Sequence, residues 1–324
     1  MTVSRSFDGK TVCVTGGAGF IGSHLVDRLL KENVEHVVVI DNLFLGNEDN
    51  LTAACATGRV TLYKEDCELQ SSLDYIFGQR KIEIVFNCAT KALNYSFLNP
   101  SNAFETNTRS VLNLLELQRK GAFKTLCHFS TSEVYGTAVY EPMDEAHPKH
   151  PTTTYAAGKA AADMAIESYA KMFGVDAFIV RPFNNYGPRQ NHKGLLAGII
   201  PITAWRILQG RRPELHGSGK QSRDFIHVRD TVEAVIKLFY VMPSGESVNV
   251  SSDGQVTIRE LIERICDHYG YRGPIDVKPA READVLCHNA SNAKVNSLID
   301  FKLTPFKMGL PATLEWYRAK LKAK

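Results

Sequence analysis

Short apolar runs and longer amphipathic stretches take turns along the first 180 residues of the chain. Thr11–Thr15, His36–Ile40, Val60–Tyr63, Ile82–Phe86, Thr125–Phe129 and Ala177–Val180 are four- or five-residue runs rich in Val, Ile, Phe and Thr. Runs of that length and composition predict buried strands. Between them, apolar positions recur at helical spacing over Ser23–Glu32, Ala103–Lys120 and Tyr155–Phe173. Such β–α alternation predicts an α/β fold with a parallel, doubly wound sheet of the Rossmann type. Beyond Pro182 the alternation fades, and Pro, Gly and Arg become frequent between Tyr186 and Gly219. A strand-like Ser247–Val250 and a helical Ile258–His268 follow. The expected organisation is a sheet domain over residues 1–182 with an interleaved return near 224–252. Residues 183–223 and 253–324 would form a smaller α+β lobe.

Composition adds exclusions. The 324 residues are 44% hydrophobic and 23% charged, the balance of an ordinary globular protein. A net charge of +3 from scattered basic residues gives no nucleic-acid signature. The first ten residues do not read as a signal peptide. Gly194–Trp205, the longest weakly polar stretch, is too short to span a bilayer and contains Pro201. The seven cysteines (Cys13, Cys55, Cys67, Cys88, Cys127, Cys266 and Cys287) are odd in number and lack metal-type spacing. Free thiols in a reducing, cytoplasmic setting are expected, with no metal and no membrane partner.

The first chemical signal is Gly16-Gly17-Ala18-Gly19-Phe20-Ile21-Gly22, between the first strand and the first helix. Glycines there permit a tight turn and close backbone approach to a diphosphate, which the helix N-terminus then attracts. Asp41 ends the second strand about twenty residues later, where a carboxylate binds ribose hydroxyls and repels a 2′-phosphate. That favours NAD. Candidate cofactor contacts are Gly16, Gly19, Phe20, Ile21 and Gly22, then Asp41 with Asn42, Asp66 with Cys67, and Cys88 with Ala89 at the ends of the next strands. Asp66 would meet the adenine amine.

The second signal is Tyr155-Ala-Ala-Gly-Lys159. Four residues apart on a helix, the phenol and the ammonium share one face. Moving a tyrosine from about 10 to about 7 takes roughly 4 kcal/mol. A cation at ~4 Å in an effective dielectric near 20 supplies about that. Lys159 is therefore expected to lower Tyr155. Upstream, Ser130-Thr131-Ser132-Glu133 adds hydroxyls and a carboxylate.

These segments resemble the extended short-chain dehydrogenase/reductase family, in its nucleotide-sugar branch, over nearly the whole chain. Further carriers are Asn87-Cys-Ala89, Arg181-Pro-Phe-Asn-Asn-Tyr-Gly-Pro-Arg-Gln190 and Arg223-Asp-Phe-Ile-His-Val-Arg-Asp230. The resemblance implies that Tyr155 takes the sugar 4-OH proton and that Lys159 holds the nicotinamide ribose and tunes that tyrosine. It also implies that Thr131 orients the 4-oxygen, and that Asn184 and Arg223 bind the diphosphate of a nucleotide sugar, a UDP-sugar foremost. A bidentate arginine suits that anion. Arg189 is a further candidate there or a loop brace, and Asn107 reads as structural. Cytoplasmic homodimers through the helices near 103–120 and 155–173 are common in this family.

Oxidation at C4 has three common sequels: epimerisation, 4,6-dehydration and decarboxylation of a uronate. Glu133 favours chemistry at C5, because a carboxylate beside a 4-keto sugar can take the C5 proton. Thr131-Ser132-Glu133 departs from the commonest dehydratase pattern, which has aspartate at the middle position as the acid. Ser132 stands there, so Glu133 itself is a candidate carrier of the proton to the leaving hydroxyl. The Thr-Ser-Glu pattern resembles two groups, UDP-glucuronate decarboxylases and 4,6-dehydratases of N-acetylhexosamine nucleotides. Ala92, Tyr95 and Ser96, and Ala156-Ala157-Gly158 between Tyr155 and Lys159, favour the second. Lys91 keeps the first open, as a cation able to hold a glucuronate carboxylate. The leading expectation is an NAD-dependent 4,6-dehydratase. A decarboxylase, a 4-epimerase and a catalytically silent NAD-binding scaffold are the alternatives. His227, Trp205 and Trp316 read as structural or packing residues. The loops Gly187–Gly219 and Asp276–Asp284 would set the nucleotide base and sugar.

Overall fold

The computed structural model describes residues 4–280, 289–300 and 302–322. Cys287 and the last four positions of the 276–284 loop lie outside the described residues. Seven parallel strands form the central sheet: β1 (Thr11–Thr15), β2 (His36–Ile40), β3 (Val60–Tyr63), β4 (Ile84–Asn87), β5 (Thr125–Phe129), β6 (Asp176–Pro182) and β7 (Ser247–Val250). Their order across the sheet is β3-β2-β1-β4-β5-β6-β7. It is the doubly wound order, with the chain reversing direction between β1 and β4. Strand β4 begins two residues after its apolar run because Glu83 turns aside. Its carboxylate takes Lys10 at 3.0 Å and the Thr11 N–H at 3.3 Å.

The principal helices are α1 (Phe20–Leu29), α2 (Gln70–Gln79), α3 (Pro100–Arg119), α4 (Thr154–Phe173), α5 (Ile199–Leu208), α6 (Val228–Val241), α7 (Ile258–Tyr269) and α8 (Phe306–Lys322). Helix α1 starts three residues earlier than the apolar periodicity suggests, because Gly19 serves as its N-cap. One face of the sheet buries Leu25 and Val26 of α1 with Val235 and Phe239 of α6. The opposite face buries Leu114 and Leu115 of α3 with Ala162 and Ile166 of α4. Helices α3 and α4 approach closely at Gly158, where an added Cβ would lie 2.7 Å from the Phe104 carbonyl.

Beyond β6, helices α5, α7 and α8 pack around Ile200, Leu261, Leu314 and the rings of Tyr186 and Phe225. Pro201 sits in the first turn of α5. Its missing N–H costs nothing there, since the first N–H groups of a helix have no intrahelical partner. Among the described residues no helix is long and apolar enough to cross a membrane.

A buried ion pair ties the sheet edge to α4. Arg181 Nε on β6 donates to Asp163 Oδ2 at 2.9 Å. The same guanidinium donates to the Tyr135 hydroxyl at 3.0 Å and to Ser247 Oγ of β7 at 2.8 Å. Tyr135 in turn donates to Asn249 Oδ1 at 2.8 Å. Removing one partner of such a pair strands a buried charge, at a cost of about 3–5 kcal/mol. Asp163→Ala should therefore lower stability by about 3–5 kcal/mol in urea melts, with Asp163→Asn less damaging. Gly158→Val should also destabilise, by about 1–3 kcal/mol through overpacking between α3 and α4.

Candidate active site

The carboxyl ends of β1, β4, β5 and β6 open into a cavity of ≈910 Å³, roofed by the second lobe. Its size is near the top of the usual range for ligand pockets, about 300–1,000 Å³. At one end lies the glycine loop. Gly16 has φ +67°, and a Cβ on it would lie 2.8 Å from the Ala89 N of the β4 loop. A Cβ on Gly22 would collide with the Gly16 carbonyl. Helix α1 has no side-chain cap, and its first residues, Phe20, Ile21 and Gly22, line the cavity, so its N-terminus is open to an anion there. Asp41, buried, accepts from the Ala18 N–H at 2.9 Å and the Leu43 N–H at 2.9 Å. Burial raises its pKa above the usual carboxylate value against those hydrogen bonds. Asn42 donates to Asp66 Oδ2 at 2.8 Å, which joins the two loops expected at the adenosine end. Asn42, Asp66, Cys67, Cys88 and Ala89 all line the cavity with Phe20 and Ile21. This cradle, too tight for any Cβ at positions 16 and 22, fits a dinucleotide.

The middle of the cavity holds the reactive groups. Thr153 caps α4 through a hydrogen bond from the Ala156 N–H at 3.2 Å, and the Tyr155 N–H donates to Ser96 Oγ at 3.0 Å. The Thr131 and Thr90 hydroxyls lie beside the Tyr155 hydroxyl and act to lower its pKa. Thr131 also accepts the Glu133 N–H at 3.2 Å, at the start of a 3-10 turn over Ser132–Tyr135. Thr131 and Glu133 line the cavity. Ser132 does not: it is buried and outside the lining, so it is not placed to deliver a proton there.

The expected effect of Lys159 on Tyr155 does not occur in this structure. Desolvation, with a smaller push from the Glu133 carboxylate, raises the phenol to about 12 against the pull of the Thr131 and Thr90 hydroxyls. Lys159 is itself lowered to about 8 by burial, against the opposing pull of Asp163. Its ammonium donates to the Phe129 carbonyl at 2.8 Å, at the end of β5. Same-face placement was legible from the spacing, but burial, and not Lys159, sets the direction of the Tyr155 shift.

Thr90 is a site residue that sequence reading missed. The signal was its position directly after Asn87-Cys-Ala89 at the carboxyl end of β4. Asn107 of α3 fixes that loop: its Oδ1 accepts from Thr90 Oγ1 at 2.8 Å and from the Lys91 N–H at 2.9 Å. Lys91 lines the cavity, with its ammonium 3.9 Å from the Phe44 ring centroid, toward the loop after β2.

At the far end, Asn184 Nδ2 is a buried donor with no partner among the described residues, and Arg223 is buried nearby in the lining. Trp205, expected as a packing residue, lines the cavity instead, with Arg211 4.9 Å from its ring centroid. Trp316 packs against the second lobe's core. Arg189 braces the loop through its ion pair with Asp27 of α1 at 2.8 Å, and its Nη1 is a buried donor in the cavity wall without a partner among the described residues. His24 of α1 donates to the Pro188 carbonyl at 3.0 Å, so the loop is clasped to α1 twice. Burial lowers His24 to about 4, which keeps it neutral for that role. His227 caps α6, accepting the Arg229 N–H at 3.3 Å. Among the described residues no group of three or more His, Cys, Asp or Glu side chains is arranged for a metal.

Residues 12–251 match the NAD dependent epimerase/dehydratase family. A putative UDP-glucose 4-epimerase of Methanocaldococcus jannaschii is 31% identical over 309 residues, 95% of this chain and 98% of that protein. The crystal structure of the Thermotoga maritima UDP-glucose 4-epimerase with UDP-glucose superposes with a TM-score of 0.90 at 30% identity, covering 96% of this chain and 99% of that one. A Streptomyces venezuelae dTDP-glucose 4,6-dehydratase with NAD bound superposes with a TM-score of 0.91 at 28% identity, covering 96% and 98%. With this match over most of its length, and with a cradle built for a dinucleotide, the chain belongs to the NAD dependent epimerase/dehydratase family of nucleotide-sugar enzymes and takes NAD as its cofactor.

Proposed function

We propose that the protein is a nucleotide-sugar 4,6-dehydratase working through a 4-keto intermediate, with an N-acetylhexosamine nucleotide as substrate. One observation carries this reading: the Glu133 carboxylate lines the same cavity as Tyr155 and lies close enough to raise its pKa. NAD held by the glycine loop and Asp41 would supply the hydride chemistry at C4. Tyr155 takes the O4 proton, and Thr131, beside that phenol, orients O4. Glu133 takes the C5 proton, which sets up loss of the C6 hydroxyl as water. The unpartnered Asn184 amide and the buried Arg223 guanidinium support a diphosphate at the far end. A 4-epimerase is the second reading, favoured by Ser132, whose place outside the cavity leaves no acid where the commonest dehydratases carry aspartate. Homodimerisation through α3 and α4 is part of the proposal. Phe104, Met164, Met172 and Phe173 are exposed on those helices, and apolar surface of that kind marks association sites. The cytoplasm is the proposed location.

Turnover of a panel of nucleotide sugars in heavy water separates the readings. The dehydratase gives a product lighter by one water with deuterium at C5. An isobaric product without deuterium would end the role of Glu133, and loss of CO₂ would mark a decarboxylase. Glu133→Gln should cut dehydration by about 10²–10⁴-fold while leaving C4 oxidation visible in a single turnover. Lys159 gives a pH test with a defined sign. Its folded value of about 8 lies below its unfolded value, so the unfolded chain binds more protons between pH 8 and about 10. In cofactor-free protein, Lys159→Met should be more stable than wild type at pH 7, and that advantage should vanish by about pH 10 in thermal melts.

A further inference from the structure

Asp224 is a fully buried acid with no part in the proton transfers assigned to Tyr155 and Glu133. Its Oδ1 accepts the Ser252 N–H and the Ser252 hydroxyl, each at 2.7 Å. Its Oδ2 is buried without a hydrogen-bond partner among the described residues. Burial pushes the carboxyl up to about 6, against the pull of Ser252 and its neighbours Gly254 and Ser251. Burying an acid with one oxygen unsatisfied opposes folding. The place of Asp224 in the chain supplies a reason for it.

Asp224 directly follows Arg223, and its carbonyl accepts the Asn184 N–H at 3.0 Å. That bond opens the parallel pairing of Asn184–Tyr186 with Phe225–His227. The two residues assigned to the diphosphate are thus each one bond from Asp224, Arg223 through a peptide bond and Asn184 through a backbone hydrogen bond. The carboxylate itself reaches the turn after β7. Ser252 lies two residues past that strand, and Asp253 holds a left-handed φ of +58°, which its surroundings must maintain. The turn is fixed to the sheet edge from its other side: Asn292 Oδ1 accepts the Ser251 N–H at 3.2 Å and the Ser251 hydroxyl at 2.8 Å. It then leads into Val256–Thr257, which pairs antiparallel with Ser222–Arg223. The chain that Asp224 captures therefore returns to hold the Arg223 backbone.

We infer that Asp224 is a positioning residue for the sugar nucleotide: its carboxylate, anchored on Ser252, sets the placement of Arg223 and Asn184 at the far end of the cavity. A shift of the Asp224 backbone carries the guanidinium with it and, through the Asn184 N–H, the amide. Arginine contacts with a diphosphate are directional and tolerate little displacement. The cofactor cradle lies at the other end of the cavity and does not share this anchor. The inference rests on the proposed reading of Arg223 and Asn184 as diphosphate ligands, and not on which sequel follows oxidation.

The test uses the full-length protein, with UDP and dTDP as probes in calorimetry and UMP and dTMP as controls that lack the second phosphate. A charge-assisted contact of this kind corresponds to about 10–100-fold in affinity. Asp224→Ala should weaken diphosphate binding by about that factor, monophosphate binding by less than about threefold, and NAD binding not at all. Asp224→Asn, which keeps an acceptor for Ser252, should bind within about threefold of wild type. In an Arg223→Ala background the effect of Asp224→Ala should shrink severalfold, because the two act through one contact. Folded Asp224→Ala that binds the diphosphates within about twofold of wild type overturns the inference. Equal losses for mono- and diphosphates, or an undiminished loss in the Arg223→Ala background, mark a merely structural acid and overturn it as well. If Asp224→Ala does not fold, Ser252→Ala decides: it should weaken diphosphate binding about threefold, and unchanged binding overturns the inference. Wild-type protein that binds neither UDP nor dTDP, or Arg223→Ala that binds them as wild type does, removes the diphosphate assignment and the inference together. A loss in Arg223→Ala with none in Asp224→Ala removes only the inference.

Discussion

The reversal of the chain between β1 and β4 is the constraint on which the site depends. Strands β2 and β3 wind away from β1 on one side, and β4 to β7 on the other. The loops leaving the carboxyl ends of β1 and β4 must therefore part, and a crevice opens where neighbouring strands would otherwise be covered. The parting is narrow: the Gly16 backbone touches Ala89 where any side chain would clash. Everything reactive gathers along that line. The anion cradle comes from the β1 loop, Thr90 and Lys91 from the β4 loop, Thr131 and Glu133 from the β5 loop, and Tyr155 and Lys159 from the first turns of α4.

Enclosure has an electrostatic price. It pushes Tyr155 toward its neutral phenol and Lys159 toward its neutral amine, and each shift opposes the charge state a proton-abstracting pair requires. The protein's own contacts, the Thr131 and Thr90 hydroxyls beside the phenol and the Lys159 hydrogen bond to the Phe129 carbonyl, fix geometry more than ionisation. The site is built in position first, with polar groups left over: Asn184 Nδ2 and Arg189 Nη1 are buried without acceptors among the described residues. Such orphans in a cavity wall are the complement of a polyanionic ligand pair.

Most of the sheet was legible because a buried parallel strand is written as a short unbroken apolar run, and five of the seven runs coincide with strands end to end. Helix α5 was hidden by Pro201, which tolerates a first turn but reads as a breaker. In the site, spacing told which residues share a helix face, as with Tyr155 and Lys159. Spacing could not tell the sign of their pKa shifts, which depends on how deeply the sheet and the β4 loop enclose them. Nor could adjacency sort Thr131, Ser132 and Glu133. A tight 3-10 turn sends the first and third to the cavity and the second into the core, and no periodicity marks so short a turn. Lys91 was legible as a cation near the fourth strand, but the direction of its side chain comes from Phe44, a residue 47 positions earlier in the chain.

The Arg181 network also bears on the order in which the chain is made. Arg181 enters the core with β6, yet its Ser247 partner lies 66 residues later, and Tyr135 waits for Asn249 across 114. The edge of the sheet stays open until the segment around residue 250 arrives, after the loop that roofs the cavity has already been synthesised. The two lobes are therefore not detachable modules. A fragment ending at Pro182 would expose the unpaired edge of β6 and leave the buried Arg181 guanidinium without its Ser247 acceptor, so the seam between the lobes is no place to divide the chain.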